Sequence, residues 1–188
     1  MAGRGNVRRR LQEVALELFQ EQGYEGTTAT EIAARVGVTE RTFFRYFASK
    51  RDVLFDEDAL HEGLQAGVAA APKGLAPMQL LHSAFTSLIP LLERNRPLSE
   101  PAREVIARTP ALQERYLAKA AATTAMLASA LRAAGIQPQL SELTAAAGMA
   151  VIGQAMEAWF ASSSKDLETC LDQAFQLWDL LASGHREP

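Results

Sequence analysis

Gly37 is the residue that most constrains what this chain can fold into. It separates two short segments that each begin with helix-starting residues: Thr28 with Glu31 three positions later, and Thr39. Threonine and glutamate at this spacing can satisfy two free backbone N–H groups at a helix start. Two helices that turn on so few residues need a positive φ between them, and glycine adopts it without steric cost. The sequence therefore predicts a sharp turn between two short, closely crossing helices.

The two predicted helices have a buried side and an outward side. The buried side is apolar and comprises Ile32, Val36, Val38, Phe43 and Phe47, with Ala33 at the crossing. The outward residues lie at the start of the second helix and are Thr39, Glu40, Arg41, Thr42 and Arg45. In a helix-turn-helix, the second helix enters the DNA major groove by its N-terminal residues. Threonine and arginine side chains there can contact base edges, whereas Tyr46 and Lys50, farther along, suit phosphates. A helical hairpin with a glycine turn and no DNA partner is the alternative.

The charge distribution gives modest support to a polyanionic partner. The net charge of the whole chain is −3, but residues 1–52 hold nine basic and seven acidic residues. A basic N-terminal part on an acidic remainder indicates that the N-terminal part meets a polyanion. Four arginines, Arg4 and Arg8 to Arg10, could form an arm that binds phosphates or the minor groove. A disordered, solvated tail is the other interpretation of these four.

The rest of the chain is predicted to be all-α, because helix-favouring residues dominate and no long period-two alternation occurs. Nine helices are expected. The first covers Val7 to Gln22, the fourth begins at Ser49, and the fifth runs from Met78 to Arg94 with a kink at Pro90. A short sixth helix is expected near 102–108, a seventh from 110 to 134, an eighth from Ser141 to about 161, and a ninth from 166 to 182.

Several functional classes lack the residues they need. The chain has no phosphate-binding glycine loop, no dinucleotide-binding glycine pattern and no paired metal-ligand spacing, so we expect no cofactor and no metal. A metal site of His82 with Glu157 or His61 is a remote alternative. The lone cysteine, Cys170, fits a reducing compartment. No apolar run reaches transmembrane length and no signal peptide is evident, so a cytoplasmic protein without a membrane partner is expected.

Several motifs in the N-terminal part of the chain together resemble the signature of a known family. Thr27-Thr28, Glu31-Ile32-Ala33, Gly37-Val38, Thr42 to Phe47 and Ser49-Lys50 are similar to the signature of TetR-family transcriptional repressors, over about residues 8–55. The resemblance implies an N-terminal three-helix helix-turn-helix head and a C-terminal six-helix body for ligand binding and dimerisation. It places the domains at residues 1–48 and 49–188, and it implies a homodimer.

The resemblance also implies roles for individual residues. Thr28 and Thr30 would touch the DNA backbone or a base, and Thr39 to Thr42 would face bases. Phe44, Tyr46 and Lys50 would lie along the phosphates. Phe44 departs from the family pattern, which most often has tyrosine there, so Tyr46 is expected to supply the missing hydroxyl group.

Methionine, aromatic and histidine side chains on the long helices are candidates for an adaptable apolar pocket. The candidate ligand-binding residues are His61, Met78, His82, Phe85, Met126, Met149, Met156 and Trp159. Ordinary core packing is the competing interpretation of each of them. The resemblance favours a pocket for a small effector without saying which residues line it.

The last predicted helix carries an apolar stripe that is too wide for one partner. Leu171, Phe175, Trp178 and Leu181 are the candidate dimer interface on this helix. The preceding helix has a series of small residues, which permits close approach of a second helix: Ala145, Ala146, Gly148, Gly153 and Ala155. Burial within one chain is the alternative to a dimer seam.

The sequence predicts a ligand-responsive transcriptional regulator, a repressor that binds a palindromic double-stranded DNA operator as a homodimer. A small, largely apolar effector is expected to release it from DNA. A DNA-binding regulator without a small effector is the first alternative. A helical enzyme with a vestigial head is the second, and the absence of any acid–base or nucleophile grouping counts against it.

Overall fold

The computed structural model describes residues 2–55, 57–162 and 164–184, with only the backbone described for residues 2–5, 57 and 58. Within these ranges the chain forms nine α-helices and no strand, so the predicted all-α class is confirmed. The helices are α1 (Ala2–Gln22), α2 (Ala29–Val36), α3 (Glu40–Tyr46), α4 (Glu57–Ala70), α5 (Pro77–Ser87), α6 (Ile89–Arg108), α7 (Pro110–Ala133), α8 (Pro138–Phe160) and α9 (Leu167–Ala182). None of the described helices has the length and apolar character that crossing a bilayer requires.

The turn between α2 and α3 forms as predicted. Thr28 Oγ1 accepts a hydrogen bond from the Glu31 N–H (3.2 Å), and the Glu31 carboxylate accepts one from the Thr28 N–H (2.8 Å). Gly37 ends α2 with φ 80°, in the left-handed region. Thr39 then caps α3 by accepting from the Thr42 N–H at 3.2 Å. Each cap satisfies a backbone donor that the first turn of a helix leaves free.

The predicted helix from Ser49 is wrong. The chain makes a single 3₁₀ turn at Lys50–Asp52, and α4 begins only at Glu57. The Ser49 hydroxyl donates to the Asp52 carboxylate (2.6 Å) instead of capping a backbone N–H. Val53 and Phe55 are both buried in one core. Residues two positions apart point to nearly opposite sides of an α-helix, so a regular helix here could not bury both on the same side.

The prolines around α6 do not divide the chain as predicted. The break falls at Leu88, and α6 then runs unbroken to Arg108 with Pro97 and Pro101 inside it. Pro90 is the second residue of α6, where a missing N–H costs nothing. The helix tolerates the two inner prolines because residues spaced three and four apart are buried in the core: Leu98, Ala102 and Val105.

Two other helix starts differ from the prediction, and one agrees with it. The first helix begins at Ala2, five residues earlier than predicted. The eighth begins at Pro138, three residues earlier than predicted, and Ser141 lies inside it, where its buried hydroxyl donates to the Ile136 carbonyl at 3.2 Å. The ninth is correct, with Asp166 as its cap accepting from the Thr169 N–H at 2.6 Å.

The chain groups into two compact units, each with its own core. The head unit comprises Met1–Glu57 and Asn95–Lys119, and the body unit comprises Asp58–Arg94 and Ala120–Pro188. The predicted division after residue 48 stays a prediction; by contacts, the head unit reaches farther along the chain. The head core includes Leu11, Phe19, Ile32, Phe43, Phe47, Val53, Leu98 and Leu112. The body core includes Leu64, Leu81, Phe85, Leu127, Leu131, Trp159, Leu167 and Leu171.

Candidate nucleic-acid interface

The start of α3 presents polar side chains to solvent above a closed core. Phe43 and Phe47 are 0% and 3% exposed, and they anchor one side of the helix. The other side carries Thr39, Glu40, Arg41 and Arg45, all exposed, and half-buried Thr42. The residues predicted to face outward therefore do so. A short helix with this arrangement can be laid into a groove without disturbing the core behind it.

Two pairs of polar side chains order this surface. Thr30 in α2 donates its hydroxyl to the Glu40 carboxylate at 2.9 Å, which links the two helices across the turn. The hydroxyl groups of Thr39 and Thr42 lie 3.0 Å apart. Within the described part of the chain, Arg41 makes no hydrogen bond or ion pair. Among the long side chains of this surface, Arg41 is therefore the hydrogen-bond donor that can most readily bind a partner.

The aromatic residues of α3 have different surroundings. Phe44 is 48% exposed and meets the edge of the buried Phe43 ring, with the centroids 5.4 Å apart. Tyr46 is half-buried, and the Arg45 guanidinium carbon lies 5.1 Å from the centroid of its ring. An exposed phenylalanine can pack on sugars and thymine methyl groups but cannot donate a hydrogen bond.

Arg8 to Arg10 belong to α1, so they are not a disordered tail, and their predicted binding to phosphates or the minor groove stays a prediction. Arg8 donates to the Tyr46 carbonyl (3.2 Å), and its guanidinium carbon lies 4.8 Å from the centroid of the Phe47 ring. Arg9 bonds the Glu13 carboxylate at 2.7 Å. The side chain of Arg4 lies outside the described residues. Arg8 thus fastens α1 to the end of α3.

Lys50 is held within the head. Its ammonium group donates to the carbonyls of Tyr24 (2.7 Å) and Thr27 (2.8 Å), both in the turn between α1 and α2. The nitrogen also lies 3.9 Å from the centroid of the Tyr24 ring. The predicted phosphate contact stays a prediction, but two of the three ammonium donors already have acceptors.

Asp52 connects the segment after α3 to α7. Its carboxylate accepts from the Ser49 hydroxyl and from Arg115 Nε, each at 2.6 Å. Burial alone would raise the pKa of Asp52, but the hydrogen bonds from Ser49 and Arg115 and the positive charge of Arg115 outweigh it. The pKa of this carboxyl group is therefore lowered. Phe55 lies beside the same pair, with its ring centroid 5.7 Å from the Arg115 guanidinium carbon.

The eight predicted ligand-binding residues lie in the body, and their role in a pocket stays a prediction. Phe85 and Trp159 are buried in the core, and Met78, Met126, Met149 and Met156 pack against it. His61 Nε2 lies 2.9 Å from the Thr123 hydroxyl, and His82 Nε2 lies 2.8 Å from the Asp172 carboxylate. No three potential metal-ligating side chains of the described residues come together.

The body does contain an open cleft of about 830 Å³ elsewhere. It is formed by the end of α4, the α4–α5 loop and the end of α7, and none of the eight predicted residues lines it. Val68, Leu75, Leu80 and Ile136 supply apolar walls, and Lys73 is the charged group of its lining. An apolar cleft with one cationic side chain suits an amphiphilic anion.

The four predicted dimer residues, all on α9, differ in how exposed they are. Leu171 and Phe175 are 1% and 8% exposed and belong to the core of their own chain, so they cannot form an exposed seam. The prediction missed this because core-facing and partner-facing stripes have the same spacing. Trp178 is half-buried and Leu181 is 79% exposed. Four further leucines are exposed on α8 and α9: Leu140, Leu143, Leu177 and Leu180.

Comparison with known proteins supports a helix-turn-helix transcriptional regulator. A family model for bacterial regulatory proteins of the TetR family matches residues 11–56, and a model for the MftR C-terminal domain matches residues 75–184, more than half of the chain. The chain therefore belongs to the TetR family of DNA-binding transcriptional regulators.

Three individual proteins illustrate the similarity. The chain is 38% identical to the regulator TcmR of Streptomyces glaucescens over 110 residues, which span 55% of this chain and 49% of TcmR. It is 26% identical to the regulator MftR of Mycobacterium tuberculosis over 178 residues, covering 93% and 88% of the two chains. FadR of Thermus thermophilus, solved in complex with lauroyl-CoA, is 26% identical with a TM-score of 0.56, covering 96% of this chain and 97% of FadR.

The lowered pKa of Asp52 predicts how the stability of the chain depends on pH. A carboxyl group whose pKa is depressed by folding stabilises the fold above its ordinary pKa, and it loses that contribution as the pH falls through the folded value. We expect Asp52→Asn to lower the free energy of unfolding by about 0.5 to 1 kcal/mol at pH 7, since the pair is partly exposed.

The difference between parent and variant should shrink as the pH falls below about 4. Denaturant titrations at a series of pH values measure it, with Glu17→Gln, an exposed carboxylate of α1, as the control. A difference that stays constant down to pH 2 would show that Asp52 stabilises the chain by packing and not by its charge.

Proposed function

We propose that this protein is a ligand-responsive repressor that binds a palindromic operator as a homodimer and works in the cytoplasm. The observation that supports DNA reading is the start of α3, where exposed Thr39, Arg41 and Arg45 stand on a helix anchored by Phe43 and Phe47. A helix with this arrangement enters the major groove by its N-terminal turn.

The contacts on this surface support different proposed roles for its side chains. Arg41 is the proposed base reader, because an unengaged guanidinium group can donate two hydrogen bonds to guanine O6 and N7. Glu40 is oriented by the 2.9 Å bond from Thr30 and can accept from cytosine N4. Thr42 offers a hydroxyl and a methyl group beside Thr39. Thr28, Phe44, Arg45 and Tyr46 are proposed to contact the DNA backbone.

Arg41→Ala should relax the preference for one base pair in each half-site, with a loss of about 1–3 kcal/mol of discrimination at that position. Selection from a randomised operator library followed by sequencing measures this. The control is Arg35→Ala, which removes the same charge from an exposed position in α2 near Glu21, 3.7 Å away. An unchanged preferred site in the Arg41 variant would place base reading in other residues.

A palindromic operator needs a two-fold symmetric protein, and α8 and α9 are the proposed seam. On α9, spacing places the acidic Glu168, Asp172 and Asp179 along one side of the helix and the exposed leucines along the other. On α8, Leu143 is followed at helical spacing by small exposed residues: Ala146, Ala150 and Gly153. A Cβ at Gly153 would meet nothing within 4 Å, so a second helix can approach closely there.

Leu181→Glu combined with Leu177→Glu should convert the dimer into a folded monomer, because a buried carboxylate without a partner strongly disfavours association. Sedimentation velocity measures the oligomeric state, and circular dichroism verifies the fold. Leu117→Glu, at a leucine of α7 that is 66% exposed, is the matched control and should leave the dimer intact.

Phe175→Glu should behave differently and destabilise the monomer itself, because its ring lies in the body core. A Leu177/Leu181 variant that sediments as the parent dimer would contradict the proposed seam.

We propose that the effector is an amphiphile with an apolar chain and an anionic group, bound in the cleft beside Lys73. The dimensions of the cleft, its apolar walls and its single lysine support this, as does the lauroyl-CoA bound by the similar FadR. The eight residues predicted from the sequence form the alternative site, which would require the packed core to open. A regulator without a small effector is the remaining alternative.

Lauroyl-CoA is the probe for this proposal. Its affinity, titrated by calorimetry, should fall when operator DNA is present, by a factor that corresponds to about 1–3 kcal/mol of coupling, and the operator affinity should fall equally when ligand is present. Equal ligand affinities with and without operator would mean that binding does not regulate.

Ala133→Trp, which fills the cleft, should weaken lauroyl-CoA binding, whereas Ala122→Trp on an exposed part of the same helix should not. Loss of binding in Met149→Trp but not in Ala133→Trp would move the ligand to the core site. No binding by the parent chain would exclude this ligand class.

A further inference from the structure

Lys50 lies four residues beyond the end of α3, at the point where the chain leaves the DNA-facing helix. Its ammonium group donates to the carbonyls of Tyr24 and Thr27 at 2.7 and 2.8 Å, and it stands over the Tyr24 ring at 3.9 Å. Two carbonyl oxygens and one aromatic ring, all in the same turn, fix the position of the ammonium group. The side chain therefore joins the exit of α3 to the turn between α1 and α2.

The turn that receives Lys50 determines where α2 begins. Thr27 is 1% exposed, and its hydroxyl donates to the Gly23 carbonyl at 2.9 Å. Thr28, the next residue, caps α2 and holds the Glu31 carboxylate. A displacement of the Thr27 carbonyl would therefore move the first turn of α2, which carries Thr30 and its bond to Glu40 in α3.

We infer that Lys50 is a positioning residue for operator recognition, which sets the start of α2 against α3, and is not a phosphate ligand. The inference rests on the proposed operator binding of this chain. An ammonium group that left the turn for a DNA phosphate would leave two carbonyls without their charged donor. The anionic Glu31 also lies near this lysine: its pKa is lowered, first by the hydrogen bonds from Thr28 and further by the charge of Lys50.

The two roles predict different effects on DNA binding. A lost phosphate contact weakens binding to every sequence alike, and it reduces the slope of log affinity against log salt by about 0.9. A misplaced α2 weakens binding to the operator while leaving binding to unrelated DNA nearly unchanged. The ratio of operator to unrelated-DNA affinity, together with the salt slope, therefore separates them.

The test substitutes Lys50→Met, which keeps the chain length and removes the donor, and Lys50→Arg, which keeps a charged donor. For Lys50→Met we expect operator affinity to fall about 10- to 100-fold, affinity for unrelated duplex to change less than about 2-fold, and the salt slope to stay the same within error. Lys50→Arg should recover most of the operator affinity. Arg51→Met, which removes the neighbouring exposed cation, is the matched control and should keep the operator preference.

Parallel losses on both DNAs with a flatter salt slope would overturn the inference and restore Lys50 as a phosphate ligand. A parent chain that prefers no sequence would instead overturn the proposed function, and the inference with it. Should Lys50→Met fail to fold, NMR of the parent chain bound to operator decides: scalar coupling between the Lys50 Nζ and a ³¹P nucleus contradicts the inference, and its absence with the Tyr24 and Thr27 bonds retained supports it.

Discussion

The DNA-binding head depends on the left-handed backbone conformation at Gly37. At φ 80° this residue lets the N–H groups of Gly37 and Val38 return to the carbonyls of Ala34 and Ala33, at 3.0 and 2.9 Å. The turn then brings Ile32 and Phe43 into one core. A Cβ at Gly37 would meet no atom within 4 Å, so glycine is required by the backbone and not by crowding. The set of side chains that α3 exposes to solvent follows from this turn.

Local signals in the sequence predicted the elements whose ends are decided locally. The caps Thr28, Thr39 and Asp166 and the turn at Gly37 were predicted correctly, because each satisfies its own neighbours along the chain. Ser49 carries the same signal, yet no α-helix begins there. The burial of Val53 and Phe55 against residues far away in the sequence, such as Leu98 and Leu112, determines the path of that segment. Proline-based breaks failed in α6 for the same reason, because burial of one helical face outweighs two missing donors.

The exposed residues of the candidate site could be predicted from the sequence, but the long-range contacts that hold the site in place could not. Helical periodicity separates Phe43 and Phe47 from the outward residues of α3, and the structure agrees. The acceptors of Lys50 lie 26 and 23 residues earlier in the chain, and the acceptor of Arg8 lies 38 residues later. Periodicity contains no information about such pairs. In the body, an apolar stripe such as Leu171 and Phe175 can serve its own chain or a partner, and only the packing distinguishes them.

A response of DNA binding to an effector needs an element that both compact units share, and α7 is such an element. Its first part belongs to the head unit, where Arg115 bonds Asp52 in the segment after α3. Its second part belongs to the body unit, where the Thr123 hydroxyl meets His61 of α4. These contacts are eight residues apart on one continuous helix.

Under the proposed function, an effector that shifts α4 in the body unit would shift the part of α7 that contacts it through the Thr123 hydroxyl group. For that shift to regulate, the effector must bind the two positions of α7 with different affinity, since a ligand that binds both equally changes no equilibrium. Both α4 and α7 line the cleft. A ligand that spans the cleft would therefore act on the two helices that carry the His61–Thr123 contact.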